Sequence, residues 1–202
     1  MNDTPILILA AGQSSRMRGV DKLSLLVGDE PLLVRIARIA RAISPFVFVA
    51  LPVVAHPYYP GRAGMVAGAG VTLLPLADAA EGLSGSLRAG VAALPECRHF
   101  MVLLADLPEL QASDIAAVLA GPVAHPGALV WRGATADGRP GHPILFDASL
   151  RPRFASLAGD GGGEAIVKPH ADRTALIALP GNRARLDLDT PEDWAAWRAT
   201  RA

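Results

Sequence analysis

The sequence predicts an α/β fold in which a mostly parallel sheet is flanked by helices. Short apolar runs bounded by turn residues, typical of buried strands, alternate with segments that carry apolar residues at helical spacing. The chain has 202 residues, of which 51% are hydrophobic and 19% charged, so it can bury a core and is not a disordered chain. We therefore expect one domain at residues 4–200, with ligands bound beyond the carboxyl ends of its strands.

The elements follow from local patterns along the chain. Strands are predicted at residues 5–10, 46–51, 71–76, 99–105, 128–132, 143–146 and 175–180. A first helix should begin near Pro31 and continue to Ile43, and a second should cover residues 86–94. Ser113 is expected to cap a helix that runs to Ala120, and Thr190 to cap the last helix.

The loop after the first strand has the composition of an anion-binding loop. Gly12 and its small neighbours let the backbone approach a ligand, and successive free N–H groups can form an anion cradle. Arg16 and Lys22 add two cations that suit phosphate oxygens. The loop matches neither the P-loop nor the dinucleotide pattern, and its residues alone also fit an ordinary solvated loop.

Carboxylates follow two of the predicted strands or extended segments. Asp106 ends the apolar run that begins at His99, and Asp187 and Asp189 lie two residues apart near the C-terminus. Two carboxylates from distant strands, together with phosphates and water, suit Mg²⁺. The alternatives are a turn residue before Pro108 for Asp106 and a helix cap for Asp189.

Two further polar segments are candidates for ligand contacts. The turn at residues 81–90 is rich in Gly and Ser and opens a helix, a place that favours anions and polar base edges but also fits ordinary capping. His142, in the segment at residues 139–143, could carry a proton, although a His before Pro in a loop is more often structural.

Several segments in this order resemble the molybdenum cofactor cytidylyltransferases and their MobA-like NTP transferase relatives. The segment that begins at Leu9 reads L-A-A-G-x-S-x-R-M and is followed by Lys22; the others are G-L-S-x-S-L-x-x-G at 82–90, D-x-P at 106–108, G-H-P at 141–143 and G-D-x-G at 159–162, before D-x-D-T-P at 187–191. The likeness extends over residues 5–197. Arg18 stands where the family usually has Gly, and Glu164 lies where an Arg is usual.

The resemblance implies a Rossmann-like sheet of the nucleotide-diphospho-sugar transferase (GT-A-like) type and assigns roles to residues. Catalysis would use Arg16, Lys22 and Asp106, and Mg²⁺ would bind Asp106 and Asp189. The implied nucleotide-binding residues are Leu9, Ala10, Ala11, Gly12, Ser14, Arg16, Lys22, Gly82, Ser84, Ser86 and Asp106. The implied acceptor-binding residues are Gly141, His142, Pro143, Asp160 and Gly161.

The implied reaction transfers CMP from CTP to a phosphorylated small molecule, molybdopterin foremost. Alternatives are a guanylyltransferase, a sugar- or alcohol-phosphate nucleotidyltransferase, and a nucleotide-binding or chaperone protein without turnover. A molybdoenzyme or its maturation chaperone is a possible protein partner.

Charge and hydropathy exclude other partners. With 19 basic and 19 acidic residues, the chain lacks the broad positive field of nucleic-acid binders. Its apolar runs are too short to span a membrane, and no basic segment precedes the first of them. Because Cys97 is the only cysteine, no internal disulfide can form, and we expect a cytoplasmic protein.

Overall fold

The computed structural model describes residues 3–77, 81–159 and 161–201. Its strands are β1 (Ile6–Leu9), β2 (Leu26–Val27), β3 (Glu30–Pro31), β4 (Val47–Leu51), β5 (Thr72–Pro75), β6 (His99–Leu104), β7 (Val130–Ala134), β8 (Pro140–Asp147) and β9 (Thr174–Ala178). Its α-helices are α1 (Leu32–Arg41), α2 (Tyr59–Met65), α3 (Leu83–Ala92), α4 (Ala112–Leu119), α5 (Gly121–Ala124), α6 (Arg151–Phe154), α7 (Glu164–Val167) and α8 (Pro191–Ala199).

Seven strands of the described chain form one sheet in the order β5-β4-β1-β6-β8-β7-β9. Only β8 runs antiparallel to its neighbours, so the predicted mostly parallel α/β sheet is confirmed. The inner strand β1 pairs with the central strand β6, and Leu9 lies opposite Leu104 at the end of this ladder. The loops that begin at Ala10 and Ala105 therefore leave the same edge of the sheet side by side.

The sheet is covered by a hydrophobic core on each face, because successive side chains of a strand point to opposite sides. Ile6 and Ile8 of β1 belong to the core that contains α1, whereas Leu7 and Leu9 belong to the core that contains α3. In the second core Gly90 lets α3 pack closely on β1, since a Cβ there would lie 2.8 Å from the Leu7 side chain. None of the helices within the described ranges has the length and apolar character that crossing a membrane requires.

Capping and helix starts differ from the sequence-based expectation in two places. The N-cap of α4 is Gln111 rather than Ser113, because Gln111 and Asp114 form a reciprocal capping box. Helix α3 begins at Leu83 instead of near Ser86, so Ser84 and Ser86 lie in its first turn. Thr190 caps α8 as expected, and its side chain accepts a hydrogen bond from the Asp193 backbone.

Two other segments also differ from the expectation. Residues 140–142 belong to β8 rather than to the loop before the predicted strand, and Gly141 makes this possible: a Cβ there would lie 2.0 Å from the carbonyl oxygen of Ala184. Helix α2 was not predicted, because Pro60, Gly61 and Gly64 give this segment a weak intrinsic helix propensity.

Candidate active site

The ammonium group of Lys22 bridges the carboxylates of Asp106 and Asp189, which are far apart in the sequence. Lys22 Nζ donates hydrogen bonds to Asp106 Oδ2 at 2.5 Å and to Asp189 Oδ1 at 2.8 Å. All three side chains are largely buried, with exposed fractions of 13% for Lys22, 19% for Asp106 and 21% for Asp189. Burial lowers the pKa of Lys22, but the two carboxylates outweigh it and raise the pKa above its ordinary value.

The loop after β1 is also tied to the start of α8 by two ion pairs at the surface. Arg16 Nη2 lies 2.6 Å from Asp189 Oδ2, and Arg18 Nη2 lies 2.6 Å from Glu192 Oε1. The Arg16 side chain is 67% exposed, so its cation can reorient toward a ligand at little cost. Asp187, two residues before Asp189, is exposed as a residue. Partial burial of its carboxyl group, together with the negative charges of Asp189 and Asp106, raises its pKa.

A buried arginine fixes the loop that carries Lys22. Arg62 of α2 is fully buried and donates to both carboxylate oxygens of Asp21, each at 2.8 Å. It also donates to the Ala10 carbonyl at 2.6 Å and to Ser14 Oγ at 3.4 Å. Asp21 in turn accepts from the Leu23 backbone, so the guanidinium sets the position of the residues on both sides of Lys22.

A cavity of about 250 Å³, the nucleotide cavity, opens between this loop and the start of α3. It is lined by Leu9, Ala10, Ala11, Gly12, Gln13, Lys22, Leu23, Gly82, Leu83, Ser86, Leu104, Ala105 and Asp106. In the described chain, the backbone N–H groups of Ala11, Gly12 and Gln13 have no acceptor. A Cβ on Gly12 would meet no protein atom within 4 Å, so the open space lies where a ligand would approach the backbone.

The three predicted serines have different surroundings. Ser86 lines the nucleotide cavity. Ser14 Oγ accepts from the Lys22 backbone at 3.3 Å and so holds the loop in shape. Ser84 Oγ accepts from the Gly162 backbone at 3.2 Å, which ties α3 to the segment after Gly161.

The residues at the sheet edge fit a divalent metal ion. Asp106 Oδ1 is buried and has no hydrogen-bond partner, so one carboxylate oxygen is free to coordinate. In the part of the chain that the structure describes, no group of three or more His, Cys, Asp or Glu residues could form a protein-only metal site. Two carboxylates whose remaining ligands would be phosphates and water are the arrangement typical of Mg²⁺.

A second cavity of about 240 Å³, the inner cavity, adjoins the first and shares Leu9, Leu83 and Leu104 with it. The rest of its lining is Leu87, Val102, Arg132, His142, Ile144, Phe146, Gly161, Gly163 and Glu164. Of the predicted acceptor residues, His142 and Gly161 thus line this cavity, whereas Gly141 and Pro143 line neither cavity. Asp160 lies outside the described residues.

The inner cavity is lined by the buried side chain of Arg132 and by His142, whose Nδ1 atom is buried. Arg132 is 8% exposed, lies 2.7 Å from Glu164 and donates from Nε to the Gly141 carbonyl at 2.9 Å. His142 Nδ1 is buried without a partner. Burial and the Arg132 charge lower the pKa of His142 to about 4, against smaller raising effects of the Val102 backbone, Asp106 and Glu164.

Sequence reasoning missed Arg62 and Arg132. An arginine in the apolar segment 128–132 is a recognisable signal, because Arg is almost never buried unless it is paired. For Arg62 no sequence signal exists, since its partner Asp21 lies 41 residues away in a loop.

Comparison with known proteins places these features in a family. Residues 6–174 match the family model of the MobA-like NTP transferase domain. Over 122 residues the chain is 31% identical to the nicotine blue oxidoreductase of Paenarthrobacter nicotinovorans, a match of 57% of this chain and 58% of that protein. The match thus spans less than two thirds of the length of this curated relative.

Solved structures share the fold over nearly the whole chain. A homologue of Mycobacterium tuberculosis Rv0371c from Mycobacterium sp. strain JC1 is 27% identical, with a TM-score of 0.78 over 98% of this chain and 96% of that chain. The manganese complex of Rv0371C from M. tuberculosis H37Rv is 23% identical, with a TM-score of 0.77 over 96% and 97% of the two chains. CMP:2-keto-3-deoxy-manno-octonic acid synthetase complexed with CTP is 14% identical, with a TM-score of 0.76 over 99% and 98% of the two chains, and shows the fold alone.

Replacing Arg62 with Met should strongly destabilise the protein. The change keeps an apolar stem but leaves the Asp21 carboxylate without its buried partner, which costs ~3–5 kcal/mol. Arg38→Met is the matched control, because Arg38 pairs with Glu30 at the surface and its loss costs under ~1 kcal/mol. Urea unfolding measures both; equal losses would contradict the anchoring role of Arg62.

His142 should make stability depend on pH. The pKa of His142 is lowered from 6.5 to about 4 in the folded protein. Between these values the unfolded chain binds a proton that the folded protein does not, so the free energy of unfolding decreases as the pH falls. When the pH is lowered from 7 to 5, the free energy of unfolding of His142→Gln should decrease by about 1–2 kcal/mol less than that of the unmodified protein. The control is the exposed His125→Gln; parallel pH profiles for all three proteins would refute this assignment.

Proposed function

We propose that this chain, which belongs to the MobA-like NTP transferase domain family, transfers a nucleoside monophosphate to a phosphorylated small molecule and releases pyrophosphate. The nucleotide proposed is CTP and the acceptor proposed is molybdopterin. The observation that carries the proposal is that Lys22, which lines the nucleotide cavity together with Asp106, contacts both Asp106 and Asp189. There a cation for phosphate and two carboxylates for a metal ion lie within one hydrogen-bond network.

The nucleotide would enter the cavity between the loop and α3. The free N–H groups of residues 11–13 can donate to phosphate oxygens, as in other backbone anion cradles. Lys22 and Arg16 each pair with a carboxylate, and both cations suit the outer phosphates once those carboxylates bind metal instead. Gly82, Leu83 and Ser86 line the opposite wall and would contact the base and ribose.

Asp106 and Asp189 would hold Mg²⁺, and the manganese in the related M. tuberculosis structure supports a divalent ion. When bound, the metal would neutralise charge on the α-phosphate and help align the reacting oxygens. The free Asp106 Oδ1 is the oxygen that this role requires.

The chemistry asks mainly for positioning and charge neutralisation by the protein. An oxygen of the acceptor phosphate forms a bond to the α-phosphorus, and the bond to the pyrophosphate oxygen breaks. Lys22 and Arg16 stabilise the negative charge that develops on the leaving pyrophosphate. No side chain needs to form a covalent intermediate, and Cys97, whose thiol pKa is raised mainly by burial, does not line the nucleotide cavity.

The choice of base and acceptor rests on resemblance. Ala11 in L-A-A-G and the turn at residues 82–86 are similar to the cytidylyl branch, whereas the guanylyl branch more often has L-A-G-G. Sequence resemblance to the molybdenum cofactor enzymes likewise supports molybdopterin, a phosphorylated compound.

A second candidate function is oxidoreduction, which the name of the curated relative suggests. It would require a hydride donor such as a reduced dinucleotide. The turn after β1 lacks the G-x-G-x-x-G pattern for such a cofactor and instead presents Lys22 beside two carboxylates. The family match and this cluster therefore favour nucleotidyl transfer.

Pyrophosphate release should depend on Mg²⁺, on molybdopterin and on the nucleotide, with CTP giving the highest rate. The assay compares CTP, GTP, ATP and UTP, with and without acceptor, and also follows oxidation of NADH and NADPH. A higher rate with GTP would support the guanylyltransferase alternative. Nucleotide binding without pyrophosphate release would support a non-catalytic binding protein, and oxidation of a dinucleotide alone would overturn the proposal.

Asp106→Asn should lower the rate of transfer on the order of 10²-fold or more, the size typical of losing a main electrostatic stabiliser. Metal-free stability should change little, because Lys22 keeps its hydrogen bond to Asp189 and one carboxylate repulsion is removed. Asp189→Asn should behave similarly but more weakly. Asp172→Asn, an exposed substitution of the same kind, is the control. Near-normal turnover of Asp106→Asn in limiting Mg²⁺ would show that the metal assignment is wrong.

A further inference from the structure

The inner cavity is a second binding space whose walls are mainly apolar. Leu87, Val102, Ile144 and Phe146 line it, and all four side chains belong to the core beneath α3. It shares the three lining residues Leu9, Leu83 and Leu104 with the nucleotide cavity, so the two spaces adjoin. A molecule bound in the inner cavity therefore lies next to the proposed reaction centre at Asp106.

The inner cavity is electrically balanced although it contains a buried cation. The Arg132 guanidinium lies 2.7 Å from the Glu164 carboxylate, whose side chain is 47% exposed. Without this partner, a buried guanidinium would attract an anionic ligand, because an unpaired buried charge is strongly disfavoured. Because the Glu164 carboxylate already neutralises Arg132, the cavity has no unpaired positive charge to attract an anionic ligand.

One hydrogen-bonding atom in the wall has no partner. His142 Nδ1 is buried and unpaired. The Val102 backbone acts to raise the pKa of the ring, although burial outweighs it, and so favours a proton on the other ring nitrogen, Nε2. In the neutral ring Nδ1 is then the acceptor, so it can take one N–H or O–H donor from a ligand. Leaving a buried acceptor without a hydrogen bond costs free energy, so a ligand that donates to Nδ1 should bind more tightly than one that cannot.

On the premise of the proposed function, we propose that the inner cavity binds the non-reacting end of the acceptor and selects an uncharged, largely apolar group with one hydrogen-bond donor for His142. The Arg132–Glu164 pair excludes groups that carry a negative charge. The acceptor phosphate stays outside this cavity, toward Lys22 and Asp106.

Matched ligand pairs test the selection by charge without any nucleotide. The pairs are 6-hydroxymethylpterin with pterin-6-carboxylate, and benzyl alcohol with benzoate, measured by fluorescence titration or calorimetry on the intact protein. For at least one pair, the neutral member should bind at least about tenfold more tightly than the anion. Glu164→Gln should raise the affinity for the anion about tenfold, because it leaves Arg132 positive and keeps an acceptor for its hydrogen bond. If neither pair shows a preference for its neutral member, the proposal is overturned.

Two variants separate this selection from general effects. Glu96→Gln removes the same charge from an exposed position and should leave the preference unchanged. His142→Phe should weaken binding of the neutral member about tenfold, whereas unchanged binding would refute the role of Nδ1. An unchanged preference in Glu164→Gln would refute the charge argument. Pyrophosphate release is measured separately, so turnover without charge selection would overturn this inference alone, and selection without turnover would overturn the proposed function alone.

Discussion

The site depends on one ammonium group that holds two carboxylates together. Asp106 and Asp189 are brought to the sheet edge from places 83 residues apart, and as neighbouring anions they repel each other. Lys22 donates to both, and its side chain is largely buried, so the cluster is stable only while the loop after β1 keeps its shape. The buried Arg62–Asp21 pair stabilises this loop conformation. It fixes the residue before Lys22, and Arg62 also donates a hydrogen bond to the carbonyl of Ala10, directly after β1.

This arrangement suits the proposed reaction because the protein stores the required charges in neutralised form. Each cation that a triphosphate needs is paired with a carboxylate that a metal ion needs. A nucleotide that arrives with Mg²⁺ can exchange both sets of partners, so charges are rearranged without leaving an ion unpaired in a partly buried site. Such preorganised charges are the main source of rate enhancement when chemistry consists of phosphoryl transfer. The inner cavity is likewise charge-neutral in the absence of a ligand, because Glu164 neutralises Arg132.

The sequence predicts the architecture well and the site only in outline. Apolar runs gave β1 and β6, and the rule for parallel sheets predicted that the loops after them carry the ligand contacts, which is where the nucleotide cavity lies. Cavity walls depend on side-chain direction, so the pattern around Ser84 could not reveal that its hydroxyl binds Gly162 rather than facing the nucleotide cavity. Ion pairs between residues far apart in the sequence, such as Arg62–Asp21, produce no recognisable local sequence pattern. Gly141 is required because the backbone of Ala184 packs against it, a contact that only the folded chain shows.

The most direct test of this account is where a metal ion binds when nucleotide is present. Crystals grown with Mn²⁺ and a non-hydrolysable CTP analogue would locate the ion by its anomalous scattering. The account predicts a peak coordinated by Asp106 Oδ1 and a carboxylate oxygen of Asp189, with Lys22 Nζ moved from the carboxylates to the phosphates. A metal bound elsewhere, or an unchanged Lys22 bridge between the two carboxylates beside the bound nucleotide, would contradict it.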